Sequence, residues 1–140
     1  MYTATTQVRV RYGETDQMGY LYYGFYAWYY EVGRVEAIRE LGIEYKKMEE
    51  EGIILPVVQL TSKYIRPAKY DDLLVVKTTI PALPKAGLIQ FECEIEDEEG
   101  TLLNIGKVSL VFVDKATRKK TTPPAYFIEK LRPYFETAPA

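Results

Sequence analysis

Residues 7–12 alternate with period two: Val8, Val10 and Tyr12 fall on one side, Gln7, Arg9 and Arg11 on the other. That spacing predicts a half-buried strand. Gly13 and Gly19 then bracket an irregular loop. Residues 24–41 contain no proline and read as a helix, with Gly42 placed as a C′ glycine. In the first half of that helix, Phe25, Tyr26, Ala27, Trp28, Tyr29, Tyr30 and Val32 point in every direction around the axis. A helix apolar all round is normally buried, so the rest of the chain is expected to wrap it. Arg34, Glu36, Arg39 and Glu40 make the second half amphipathic.

A charged helical turn is expected at residues 46–51, followed by strands at 53–66, 72–80, 88–97 and 102–113. Ile89, Phe91, Cys93 and Ile95 alternate with Gln90, Glu92, Glu94 and Glu96, as in an antiparallel sheet with one wet face. Turns are signalled by Pro67, by Pro84-Lys85-Ala86-Gly87 and by Glu98-Glu99-Gly100. Their brevity predicts a meander of neighbouring strands after the helix. Pro123-Pro124 opens a last helix, expected through about Arg132. The class is therefore α+β, with a five-stranded antiparallel sheet, a long central helix and a C-terminal helix.

Composition narrows the function. At 140 residues, with 47% hydrophobic and 27% charged residues, the chain is expected to form one domain over residues 1–140. A net charge of −2 argues against nucleic acid, and Arg118-Lys119-Lys120 reads as a solvated turn. The single Cys93 forms no internal bridge and fits a cytoplasmic location. The first eleven residues lack the apolar core of a signal peptide, and no run long enough to span a membrane occurs. Most decisive is the absence of histidine. It removes the usual base of Ser-His-Asp and Cys-His catalysis and all but excludes zinc, so no metal or cofactor is called for. Carboxylates, tyrosine, lysine or backbone must carry any chemistry.

The segment Asp16-Gln17-Met18-Gly19-Tyr20-Leu21-Tyr22-Tyr23, followed by Tyr26, Glu31 and Arg34, resembles the opening motif of the 4-hydroxybenzoyl-CoA thioesterase family, including its Tol-Pal-associated branch. Arg66-Pro67-Ala68-Lys69-Tyr70-Asp71-Asp72-Leu73-Leu74 resembles the later signature of the same family. The resemblance implies a hotdog fold in which the sheet curls around the helix. It implies hydrolysis of an acyl-CoA thioester, with Asp16 as general base on water or as nucleophile. It also implies backbone amides at the helix N-terminus, the Tyr23 amide first among them, as donors to the oxyanion. Many family members carry histidine where this chain has Tyr23; others carry tyrosine. Gly19 and Tyr26 are placed in the substrate site by the same motif. Lys85 is the positional match to a family segment rich in basic residues, with Arg66 and Lys63 as weaker candidates for the coenzyme A phosphates. So thin a basic rim leaves an acyl carrier protein open as the carrier. The family also pairs sheets edge to edge, implying a homodimer or a homotetramer with sites between subunits.

Plainer roles stand beside these. Asp16 also suits a loop aspartate satisfying nearby amides, which would preorganise it as well. Glu31 is expected to pair with Arg34 at i+3. The tyrosines and Trp28 are expected mainly in the core and at subunit contacts. A hotdog dehydratase would need the missing histidine. A non-catalytic protein binding acyl-CoA or acyl carrier protein on the same fold is the alternative that sequence leaves standing.

Overall fold

The structure, a computed structural model, describes residues 1–136, so the end of the expected 1–140 domain lies outside the described residues. Strand β1 covers Tyr2–Arg9. It begins earlier than residues 7–12 because Tyr2 and Ala4 already point inward between exposed threonines, a period hidden by their polar neighbours. It also ends earlier, since Tyr12 turns outward into a 3-10 turn, Tyr12–Glu14. The Tyr2 hydroxyl donates to the Ala37 carbonyl at 2.6 Å and pins this strand to the helix.

A second 3-10 turn, Tyr23–Phe25, runs into helix α1, Tyr26–Glu40, and the two together make 18 residues. Tyr26, Tyr29, Tyr30, Gly33, Arg34, Ala37 and Ile38 are buried at the 3–4 spacing of one helix face. The expectation of burial all round is therefore corrected. Trp28 is 58% exposed and Val32 40% exposed, because the sheet covers only one side of the helix. Trp28 stacks instead on Phe25, ring centres 4.7 Å apart. Glu31 is exposed on this open side while Arg34 turns inward, so the expected ion pair does not form. Among the described residues the ion pairs are Arg9–Asp71 and Glu36–Arg39. The helix closes as expected at Gly42, with φ +85°. The Gly42 N–H donates to Arg39 and the Ile43 N–H to Ile38, at 2.8 and 3.2 Å, which satisfies carbonyls of the last turn.

Helix α2, Tyr45–Glu50, leads to β2, Ile53–Ile54, and β3, Val57–Tyr64. The strand expected over 53–66 is thus interrupted, at Leu55-Pro56. Strands β4, Leu73–Ile80, β5, Leu88–Glu96, and β6, Leu102–Val111, follow. A short β7, Val113–Asp114, pairs with β2, and helix α3, Ala125–Leu131, begins directly after Pro123-Pro124. The Ala86-Gly87 pair takes positive φ at both positions, giving a two-residue turn that closes Lys85 against Leu88 at the tip of the connection between β4 and β5.

The main sheet is antiparallel, in the order β1-β4-β5-β6-β3. Only β4, β5 and β6 form the expected meander. β3 is not beside β4 but on the far edge, against β6, because residues 65–72 cross the end of the sheet instead of making a tight turn. The N–H groups of Ile65 and Arg66 bond to Leu103 near one edge, and Asp71 and Asp72 exchange bonds with Val10 at the other. β3 has one free edge, and Val57, Val58, Leu60 and Tyr64 along it are exposed. No helix of the described residues is long and apolar enough to cross a membrane.

Candidate active site

The loop between β1 and α1 is built on its own amides. Thr15 donates both its N–H and its hydroxyl to the Tyr12 carbonyl, at 3.2 and 2.7 Å. The Asp16 N–H donates to the Tyr20 carbonyl at 2.8 Å, and the Gly19 N–H to the Asp16 carbonyl at 3.0 Å. Gly19 sits at φ +79°, a conformation that favours glycine, and so lets the loop reverse. Inside the reversal, Asp16 Oδ1 accepts the N–H groups of Met18 and Tyr20, at 2.9 and 3.1 Å. The loop thus holds the carboxylate by one oxygen. No described group donates to Oδ2.

The crossing segment supports this loop from below. Leu21 donates its N–H to the Ala68 carbonyl at 2.8 Å, and Tyr20 bridges to Lys69. Asp16, Tyr23 and Tyr26 then face Tyr64, Ile65 and Arg66, at the end of β3 and just beyond it, across a cavity of about 360 Å³. Met18, Tyr20, Leu21 and Pro67 complete its lining. The Tyr64 hydroxyl donates to the Tyr23 carbonyl at 3.1 Å. Its ring meets those of Tyr26 and Tyr23 edge-on, at 5.2 and 6.3 Å. Burial raises the Tyr26 phenol above its usual pKa, so it enters the cavity as a neutral hydroxyl.

Tyr23 opens its 3-10 turn after an extended Tyr22, and the turn closes through Phe25 N–H to the Tyr22 carbonyl at 3.0 Å. The Tyr23 N–H belongs to the unpaired first groups of the helical segment, and no described group accepts it. The helix dipole adds positive potential at the same end.

Four of the residues picked out by sequence meet here: Asp16, Tyr23, Tyr26 and Arg66. Gly19 shapes the loop without lining the cavity. Lys85 is not brought to it within one chain. It lines a separate cleft with Leu83 and Leu88, at the end of the sheet where β3 starts rather than where it stops. Tyr64 and Ile65 escaped the sequence reading, since only the placement of β3 on the outer edge brings them near the loop. The alternation running into the Pro67 signature was the one available hint. Cys93 is fully buried in β5, with its thiol pushed up to about 11 by burial, which makes it unsuited to be a nucleophile.

A carboxylate with one oxygen held and one spare, on a residue that shares a cavity with one whose N–H is unpaired at a helix start, is a set suited to attack on a carbonyl. The sequence profile of the thioesterase-like superfamily matches residues 10–131. The chain belongs to that superfamily. This thioesterase is 31% identical over 125 residues to the acyl-CoA thioester hydrolase YbgC of Escherichia coli O6:H1, covering 89% of this chain and 92% of that one. It is 41% identical over 80 residues to the putative acyl-CoA thioesterase YneP of Bacillus subtilis, a match spanning 57% of this chain and 58% of YneP. The solved DHNA-CoA thioesterase of Staphylococcus aureus superimposes with a TM-score of 0.86 at 31% identity, covering 99% of this chain and 98% of that one. The resemblance carried by the two motifs is thereby borne out at the level of the family, and the hotdog-like arrangement with it.

Proposed function

We propose that this thioesterase hydrolyses an acyl-CoA thioester to the free acid and coenzyme A, with Asp16 delivering the attack and the Tyr23 N–H receiving the oxyanion. The observation that carries this reading is the cavity lined both by Asp16, with its spare Oδ2, and by Tyr23, with its unpaired N–H. Oδ2 takes a proton from water, whose hydroxide bonds to the carbonyl carbon, or bonds to that carbon itself; the C–S bond then breaks, coenzyme A leaves as a thiolate that takes up a proton, and in the second route water opens the anhydride left on Asp16. Either route places negative charge on the former carbonyl oxygen, where a preorganised N–H stabilises it. Tyr26 and Tyr64 supply an aromatic wall for the acyl group, Gly19 the turn that presents Asp16, and Arg66 positive charge at the mouth.

A second copy of the chain completes the site in this reading. An open, apolar edge such as β3 favours pairing with its own equivalent. Antiparallel pairing sets the start of one β3 beside the end of the other. The Lys85 turn of the second copy then lies at the same end of the joint sheet as the cavity of the first. That supplies a second basic residue for the carrier phosphates, on coenzyme A or on an acyl carrier protein.

The test is turnover of an acyl-CoA panel followed with a thiol reagent. Wild-type protein is expected to release coenzyme A from at least one member, and Asp16→Asn to lower kcat by about 10²–10⁴-fold with its fold intact. If both proteins are inert on every thioester while an acyl-CoA still binds, the non-catalytic binding reading replaces this one.

A further inference from the structure

Asp16 and the Tyr23 N–H belong to different elements, a loop and a helix start, yet attack and oxyanion capture require one fixed geometry between them. Glu14 touches both sides. It stands two positions before Asp16, and its carbonyl accepts the Tyr22 N–H at 2.9 Å, immediately before Tyr23. Its carboxylate Oε1 accepts the Arg11 N–H at 2.9 Å and the Tyr29 hydroxyl at 2.7 Å. Tyr29 is buried in the first turns of α1. Burial, reinforced by the Glu14 carboxylate, pushes its phenol far above the usual range, so it remains a donor. Among the described residues this is the one side-chain hydrogen bond from α1 to the Asp16 loop.

We infer that Glu14 and Tyr29 are positioning residues for the hydrolysis, registering the Asp16 carboxylate against the Tyr23 N–H. The inference rests on the reading of Asp16 and Tyr23 given above. Neither Glu14 nor Tyr29 lines the cavity, so neither reaches the thioester in this arrangement. Their bond acts on the chemical step and not on substrate capture, which separates it from a merely structural contact. It needs an acceptor oxygen at position 14 and no charge there. A glutamine can serve, since its amide oxygen accepts from both Tyr29 and Arg11.

The experiment is steady-state hydrolysis of the best acyl-CoA in the panel by the full chain, at a temperature where circular dichroism shows each variant folded. Tyr29→Phe is expected to lower kcat by about 10–100-fold, as a shift on the order of an ångström at a reacting group does, with KM held within about twofold. Glu14→Ala should fall equally, and the double variant no further, because the two act as one unit. Glu14→Gln should stay within about threefold of wild type, its acceptor being intact. A folded Tyr29→Phe with wild-type kcat overturns the inference, and so does a Glu14→Gln as inactive as Asp16→Asn, which would make Glu14 a chemical participant. Should Glu14→Ala not fold, Tyr29→Phe decides alone, since it removes a single oxygen. Asp16→Asn keeps the two readings apart. If it retains full kcat, the mechanism itself fails; if it is inactive while Tyr29→Phe is unaffected, only the positioning role does.

Discussion

Two glycines set how closely the helix approaches the sheet, and one of them also lets the helix bond to β3, the strand that ends in the cavity wall. At Gly106 in β6, an added methyl would stand 2.3 Å from the ring of Tyr30 and 2.5 Å from its hydroxyl. That hydroxyl bonds to Asn104 and, at 2.7 Å, to Ser62 of β3, while the Asn104 amide donates to Ser62 at 3.1 Å. The absent side chain at 106 is what lets a tyrosine of α1 reach the outermost strand. Gly106→Ala is therefore expected to cost about 1–3 kcal/mol of stability, since Tyr30 is fully buried and cannot swing aside. Urea denaturation would show it as a lower midpoint at unchanged slope, and an unchanged midpoint would contradict the account. At Gly33 of α1 the methyl would meet Thr78 and Val76 at 2.5 and 2.6 Å, the same close approach seen from the helix side.

Among the elements, β3 is the least supported and the most consequential. It contacts the sheet through β6 alone, exposes Leu60 midway along its free edge, and ends in the cavity wall. A lysine on such an edge opposes pairing with a second strand while leaving the chain's own fold intact. With the proposed pairing of two copies through β3, Leu60→Lys should therefore shift sedimentation from dimer to monomer and lower activity with it. A monomeric wild type of full activity would remove the second copy from the site. How much of this was legible in the sequence follows from how local each signal is. The β4–β5 and β5–β6 hairpins were readable because alternation and turn glycines lie within a few residues of each other. The Asp16 loop was readable as a motif for the same reason. The placement of β3 was not, because Pro67 marks a change of direction without saying whether the chain turns back or crosses the sheet. From that came the meander expectation and the absence of Tyr64 from the candidates. The exposed side of α1 was hidden in another way: Trp28 and Val32 are apolar wherever they face, and sequence alone does not say which apolar residues the sheet will cover.

At the scale of the whole molecule, the chemistry runs on very few groups. With no histidine in the chain and the one thiol sealed in the core, the proposed reaction depends on a single held carboxylate and on backbone. Such a site owes its power to where its parts are kept. Its parts come from distant stretches of chain. The pairs that join β3 to β6 run from Val57 with Leu110 to Tyr64 with Asn104, whereas β5 meets its neighbours through tight hairpins. The pairing of β1 with β4 spans still more chain, and closing the longer loops costs more chain entropy, so in time the hairpins come first and the two edge strands later. The protein therefore acquires the centre of its sheet before it acquires its cavity. On refolding, amide protection in β5 should precede the return of thioester hydrolysis. That lag should shorten as protein concentration rises, because β3, one of the late strands, is also the one proposed to meet a second chain. Simultaneous recovery at every concentration would show instead that the edge forms with the core.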